Sequence, residues 1–199
     1  MNILLFSRGY PSRRDVQWGG VERDQAKALQ KLGHKVTVMS IDCRFRLYRR
    51  KFGITRMDDS GIEIYNMYYF PFAVLKLLGS MFYLKVLRWQ TYKLYREITK
   101  KVTPDIIYAH YLTNIYSAAV IKMRYNVPVV GIEHWSMLNR KVLPLRVSVM
   151  GNVGYGIVDK LIAVSDSLKC NIYSHFSINS LVVHNMIGEE FSNRQIVDR

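Results

Sequence analysis

Short apolar runs and helix-patterned stretches take turns along almost the whole chain, and this rhythm constrains the fold more than any other feature. Asn2 to Phe6 reads as a fully buried parallel strand and runs into Ser7-Arg8-Gly9-Tyr10-Pro11. A polar loop leads to Gly19-Gly20, where a helical pattern opens with Val21, Ala26, Ala28, Leu29 and Leu32 near one stripe. Gly33 ends it in a position that tolerates a left-handed backbone, and Lys35 to Ile41 reads as a second strand. Together these make one βαβ unit of about 40 residues.

Residues 42 to 61 are polar and basic and read as a loop. Ile62 to Tyr69 is β-prone, and Phe72 to Lys101 is the longest helical pattern, with Leu77, Met81, Leu84, Leu87, Leu94 and Ile98 on one stripe. Strands are then expected at Asp105–Ala109, Val127–Ile132, Lys160–Val164 and Ser180–His184. Helices are expected at Asn114–Tyr125, Val142–Ile157 and from Ser165 to Phe176, with Ser165 as N-cap. Strands separated by helices at this spacing imply an α/β fold, a doubly wound parallel sheet flanked by helices. Residues 1–187 form that domain, and 188–199 leave the pattern as a linker or cut end.

Composition supports a folded domain. Apolar residues make up 49% of the 199 and aromatics 13%, which excludes a disordered chain. Cys43 and Cys170 cannot build a disulfide framework and lack zinc-site spacing, so no metal site is expected. The apolar run at residues 3–6 is too short for a signal-peptide core, and Lys76 and Lys85 interrupt the greasiest stretch. A cytoplasmic location is therefore expected, with peripheral membrane contact compatible with it.

Charge is unevenly placed. Lys and Arg number 29 against 15 Asp and Glu, a net of +14. Arg44 to Lys101 carries 13 basic and 4 acidic residues, 13 − 4 = +9. Such a region suits an anionic partner, or simply forms a solvated face.

Ligands of a doubly wound sheet bind outside the carboxyl ends of its strands. The loops there contain Ser7 to Gly20, His110-Tyr111, Glu133-His134-Trp135, Ser165-Asp166 and His184-Asn185. Gly19-Gly20 at a helix N-terminus suits phosphate, whereas its bland reading is a flexible loop. His134 and Glu133 can hydrogen-bond a sugar hydroxyl or exchange a proton, or else serve as rim residues tied to backbone. His110 faces the same choice. The dinucleotide fingerprint and the Walker lysine motif are absent, which disfavours an oxidoreductase or a P-loop NTPase.

Six strings together resemble the N-terminal domain of family-four retaining glycosyltransferases with the GT-B fold. They are Tyr10-Pro11; Gly19-Gly20-Val21-Glu22-Arg23; Leu32-Gly33-His34-Lys35-Val36-Thr37-Val38; Pro104-Asp105-Ile106-Ile107-Tyr108-Ala109-His110; Val127-Pro128-Val129-Val130 before Glu133-His134; and Ala163-Val164-Ser165 with Val182-Val183-His184-Asn185. Asn185-Met186 departs from the family's Asn-Gly, and Trp135 from its Asp or Gly. The family's E-x7-E donor-holding element has no counterpart after Asn185.

The resemblance implies a Rossmann-like fold and the acceptor-side half of an enzyme that moves a sugar from a nucleotide sugar to a glycan or lipid-linked saccharide. A C-terminal donor-binding domain would complete it, so the isolated chain would be inactive. Gly19 and Gly20 would face the donor phosphates, His134 the reacting centre, and Tyr10, His110 and Glu133 the acceptor side. The reaction would be metal-independent, with no cofactor beyond the donor. Arg44, Arg46, Arg49, Arg50 and Lys51, interleaved with aromatics, would contact an anionic membrane at about 1 kcal/mol each. The rival reading is a non-catalytic basic module for anionic lipid or nucleic acid. Nucleic acid is disfavoured by the lack of any RRM or KH motif.

Overall fold

The computed structural model describes residues 1–12, 15–42, 44, 51–68 and 79–185. In chain order the elements are β1 (Asn2–Ser7), α1 (Gly20–Lys31), β2 (Lys35–Ile41), β3 (Gly53–Asp59), β4 (Ile62–Tyr68), α2 (Ser80–Thr99), β5 (Ile106–His110) and α3 (Tyr111–Tyr125). There follow β6 (Val129–Glu133), a 3-10 turn (Ser136–Asn139), α4 (Leu145–Ile157), β7 (Lys160–Ala163), α5 (Asp166–Phe176) and β8 (Leu181–Val182). The strands form one sheet of 8 in the order β3-β4-β2-β1-β5-β6-β7-β8. All neighbours are parallel except β3, which pairs antiparallel with β4.

The expected α/β architecture is therefore present, and the loop expected over 42–61 is corrected. Residues 53–59 form an edge strand joined to β4 by a tight turn, with Ser60 and Gly61 both at positive φ. Alternation does not reveal β3 because it is an outer strand whose middle residues Arg56, Met57 and Asp58 are exposed. α3 begins at Tyr111, three residues earlier than expected, directly out of β5. The expected helix from 72 and the linker at 188–199 fall partly or wholly outside the described residues.

Helices cover both faces. Ala26 and Leu29 of α1 pack with Leu5, Val36, Val38, Ile62 and Ile64 in a small cluster on one face. α2 to α5 pack on the other in the large core, where Leu84, Leu87, Leu94 and Ile98 of α2 are buried as expected. Met81, placed on the same stripe, is 61% exposed instead. The stripe of α1 also needs correction. Val21 and Leu32 are exposed, and the buried residues are Glu22, Gln25 and Ala26. Two polar side chains on a buried helical face require partners: Gln25 Oε1 accepts from the Tyr108 hydroxyl at 2.7 Å, and Glu22 leads to the site described next.

Candidate functional site

Chain progression reverses between β1 and β5, the switch point at which a doubly wound sheet opens a crevice. Three turns meet there at the carboxyl ends of β1, β5 and β6, linked through one side chain that sequence reasoning did not single out. Arg8, directly after β1, pairs through Nε with Glu22 Oε1 of α1 at 3.3 Å. Its guanidinium carbon lies 3.3 Å from the centroid of the Tyr111 ring and 4.7 Å from that of Trp18. Tyr111 in turn lies 4.8 Å from the His134 ring. Arg8 thus bridges the start of α1 to the start of α3 and the end of β6.

His110 and His134 stack beneath this bridge, with ring centroids 5.3 Å apart and planes 11° from parallel. His110 Nδ1 is 3.2 Å from His134 Nε2. Alternation along β5 turns His110 to the same face as Tyr108, whose ring it meets edge-on at 4.8 Å. His110 is fully buried and its Nε2 has no partner among the described residues. A buried bare acceptor costs less than a buried orphan donor. The favoured tautomer therefore has His110 Nδ1–H donating to His134 Nε2, which leaves His134 with its hydrogen on Nδ1. Burial and the Arg8 charge push His134 down to about 4. Burial, His134 and Arg8 hold His110 well below the usual imidazole value. Both rings are neutral at neutral pH.

Glu133 has the opposite orientation. Its carboxylate is fully buried on the α4 side of the sheet, where Oε2 accepts from the Tyr155 hydroxyl at 2.6 Å. Oε1 accepts from the backbone N–H groups of His134 and Trp135 at 2.9 and 2.8 Å. Burial raises its pKa despite these bonds. Glu133 therefore fixes the turn that presents His134 and does not itself face the crevice. Tyr10 also points away. Its ring enters the small core, and its hydroxyl donates to Asp59 Oδ2 at 2.7 Å, near the opposite edge of the sheet where Asp59 pairs with Ile62.

Gly19 and Gly20 play different parts. Gly19 is the N-cap of α1 at φ 80, and a Cβ there would strike the Gly9 carbonyl. Only glycine fits that position. Gly20 has open space around it, and its N–H donates to Gln17 O at 3.2 Å. No side chain caps α1.

Arg44 is held by Asp42 and Asp15, each at 2.7 Å, and its guanidinium carbon lies 3.7 Å from the Trp18 ring centroid. Lys51 is exposed, while Arg46, Arg49 and Arg50 lie outside the described residues. Among the described residues no three His, Cys, Asp or Glu side chains gather into a metal-binding group, and no helix is long and apolar enough to cross a membrane.

Arg8, Trp18 and Tyr111 fall in the loops that the sequence marks and Glu22 in its glycine string, but pattern reading gave none of them a role, and it missed Tyr155 altogether. Glu22 had a readable signal, since it falls one turn before Gln25-Ala26 on the helix face turned to the sheet.

Comparison with known proteins identifies the family and the fold. The family model for Glycosyltransferase Family 4 matches residues 18–191. No curated protein matches the sequence. Among solved structures, sucrose-phosphate synthase from Thermosynechococcus elongatus is similar at a TM-score of 0.64 and 11% identity, over 96% of this chain and 91% of that one. The E. coli trehalose-6-phosphate protein bound with UDP-2-fluoro glucose gives 0.66 and 10%, over 100% and 52%. The lipopolysaccharide outer core galactosyltransferase WaaB gives 0.57 and 13%, over 94% and 46%. The chain thus spans about half the length of several of these proteins. The shared fold is that of the Rossmann-like N-terminal domain of GT-B enzymes, and the chain belongs to glycosyltransferase family 4.

Proposed function

We propose that the chain is the acceptor-side half of a retaining, metal-independent glycosyltransferase that moves a sugar from a nucleotide donor to a glycan or lipid-linked saccharide. The observation that carries this reading is the partly exposed His134 ring, aimed at the switch-point crevice and held there by His110, Tyr111 and Glu133. A neutral imidazole with a pKa of about 4 is a poor general acid at neutral pH. Its role is to hydrogen-bond the sugar at the reacting carbon. Arg8 and the N-terminus of α1 supply positive potential toward the leaving nucleotide diphosphate, and the open space at Gly20 admits it.

The likeness to the proteins solved with UDP-2-fluoro glucose and with UDP and glucose supports a nucleotide-sugar donor. His110 shapes the acceptor side from beneath, through packing, Glu133 acts through the turn it anchors, and Tyr10 serves the small core instead. A C-terminal half carries most donor contacts. The enzyme works in polysaccharide biosynthesis on the cytoplasmic face of a membrane, to which the basic segment around Arg49, Arg50 and Lys51 attaches it. Membership of glycosyltransferase family 4 disfavours the non-catalytic binding module.

The test is transfer from a panel of nucleotide sugars to saccharide and lipid-linked acceptors. The full-length protein is expected to transfer and the 199-residue chain to turn over little or nothing. No transfer by the full-length protein from any donor would overturn the proposal, and transfer by the chain alone would overturn the role given to the second half.

A further inference from the structure

Among the described residues, Ser60, Tyr111, Asn126 and Ser177 have a left-handed backbone without being glycine. Ser60 lies in the turn between β3 and β4, and Asn126 and Ser177 close the carboxyl ends of α3 and α5. Small polar residues adopt this conformation at turns and helix ends. Tyr111, at φ 66, is of another kind. It is a bulky aromatic at the first residue of α3, where the sterics of its Cβ make such a backbone an outlier.

Its neighbours hold it there. His110 is fully buried, and its carbonyl accepts from Asn114 Nδ2 at 2.9 Å. Leu112 is fully buried in the large core. β5 passes into α3 with no intervening loop, and residue 111 makes the reversal. A strand that turns straight into a helix through one strained residue lifts that side chain over the carboxyl end of the sheet. Here the lifted group is a phenol ring. The Arg8 guanidinium carbon sits over it, 3.3 Å from its centroid, and the His134 ring lies 4.8 Å away, tilted by 32°. Glycine or asparagine would make the same turn with less strain, so the turn alone does not call for tyrosine. Strain kept at a residue that touches two groups of the crevice points to a use for the ring.

We propose that Tyr111 is a positioning residue of the transfer site, its ring held over the sheet by a strained backbone so that it seats the Arg8 guanidinium and braces the His134 imidazole. Arg8 is fixed by the face of this ring and by Glu22 Oε1. His134 is fixed by the same ring and by His110. One side chain thus sets the spacing between the cation that meets the leaving diphosphate and the imidazole that meets the sugar. The proposal rests on that reading of Arg8 and His134, whereas the strain and the ring contacts stand apart from it.

Variants of the full-length protein test it. Tyr111→Gly and Tyr111→Ala remove the same ring, so the difference between them reads the backbone alone. Tyr111→Gly is expected to melt about 2–6 °C above Tyr111→Ala, the reverse of the order at an ordinary helix position. Both are expected to lower kcat about tenfold or more, with donor and acceptor KM within about twofold of wild type. Tyr111→Phe keeps the ring and is expected to turn over within about twofold of wild type. The ring-proton resonances of His134 are expected to move in Tyr111→Gly and to stay in Tyr111→Phe. If neither small variant folds, Tyr111→Asn, which tolerates this backbone, carries the kinetic test. Tyr111→Ala melting at or above Tyr111→Gly overturns the proposal, as does an unchanged kcat once the ring is gone. A raised acceptor KM at unchanged kcat also overturns it and makes the ring a sugar contact. Equal losses in Tyr111→Phe and Tyr111→Gly overturn it in favour of the hydroxyl. Absence of any sugar transfer by the wild-type full-length protein would sink the transferase reading alone, and the melting order and the His134 resonances would then decide the strained brace.

Discussion

The imidazole rings of His110 and His134 lie 11° from parallel with Nδ1 of the first 3.2 Å from Nε2 of the second. One hydrogen serves both rings. The buried member, locked at the end of β5, fixes the tautomer and tilt of the member that faces the crevice.

That pair makes stability depend on pH in a defined window. The unfolded imidazole of His134 takes up a proton below its ordinary 6.5, and the folded one refuses it until about 4. Between those values the unfolded state binds more protons, so stability rises with pH and this contribution is complete above 6.5. His110, also held low, adds in the same direction, whereas Glu133, held high, acts against it. Thermal melting of the chain is expected to show Tm falling as pH drops from 6.5 toward 4, and His134→Asn to flatten that slope. An unchanged slope in the variant would remove His134 as its source.

Arg8 and Glu22 form the link between α1 and the histidines. Glu22 is 1% exposed, so Arg8→Ala leaves a buried carboxylate unpaired and should cost about 3 kcal/mol. The Arg8→Ala/Glu22→Ala double variant should recover part of that loss, measured as coupling in denaturant unfolding. Arg8→Ala should also raise the His134 pKa, read by NMR titration, because the Arg8 charge helps to hold it down. Simple additivity with no pKa change would deny the bridge.

Glu133 offers a contrast between losing and keeping an acceptor. Glu133→Ala strands the Tyr155 hydroxyl and two backbone N–H groups, a cost of about 3 kcal/mol or more. Glu133→Gln keeps an amide oxygen for the N–H pair and should retain most of the stability. Equal losses in chemical denaturation would show that the network does not hold the His134 turn.

The adjacent glycines separate fold from function. Gly19→Ala meets the Gly9 carbonyl at a positive φ and should destabilise by about 1–3 kcal/mol. Gly20→Ala enters open space and should melt normally while raising the donor KM of the full-length enzyme. A normal KM in Gly20→Ala would take the donor phosphates away from this turn.

Much of this architecture was legible because buried parallel strands leave continuous apolar runs and glycine marks the ends of α1. The edge strand β3 was not, since exposure on both sides removes the alternation that identifies a strand. Position at the carboxyl edge marks the turns of Gly20, His110 and His134, although His110 itself is fully buried beside His134. It could not show that Glu133 turns under the sheet or that Tyr10 points to Asp59, because alternate residues of a strand face opposite layers and a loop residue obeys no period. The Arg8 bridge depends on contacts between turns about a hundred residues apart, which no local pattern encodes.

The most direct measurement is the rate of sugar transfer by the full-length enzyme with His134→Ala. The geometry predicts a kcat about a hundredfold lower, with Tm lower by a few degrees because the buried His110 N–H loses its acceptor while the fold is kept. Turnover close to wild type in a folded variant would contradict the placement of His134 at the reacting centre.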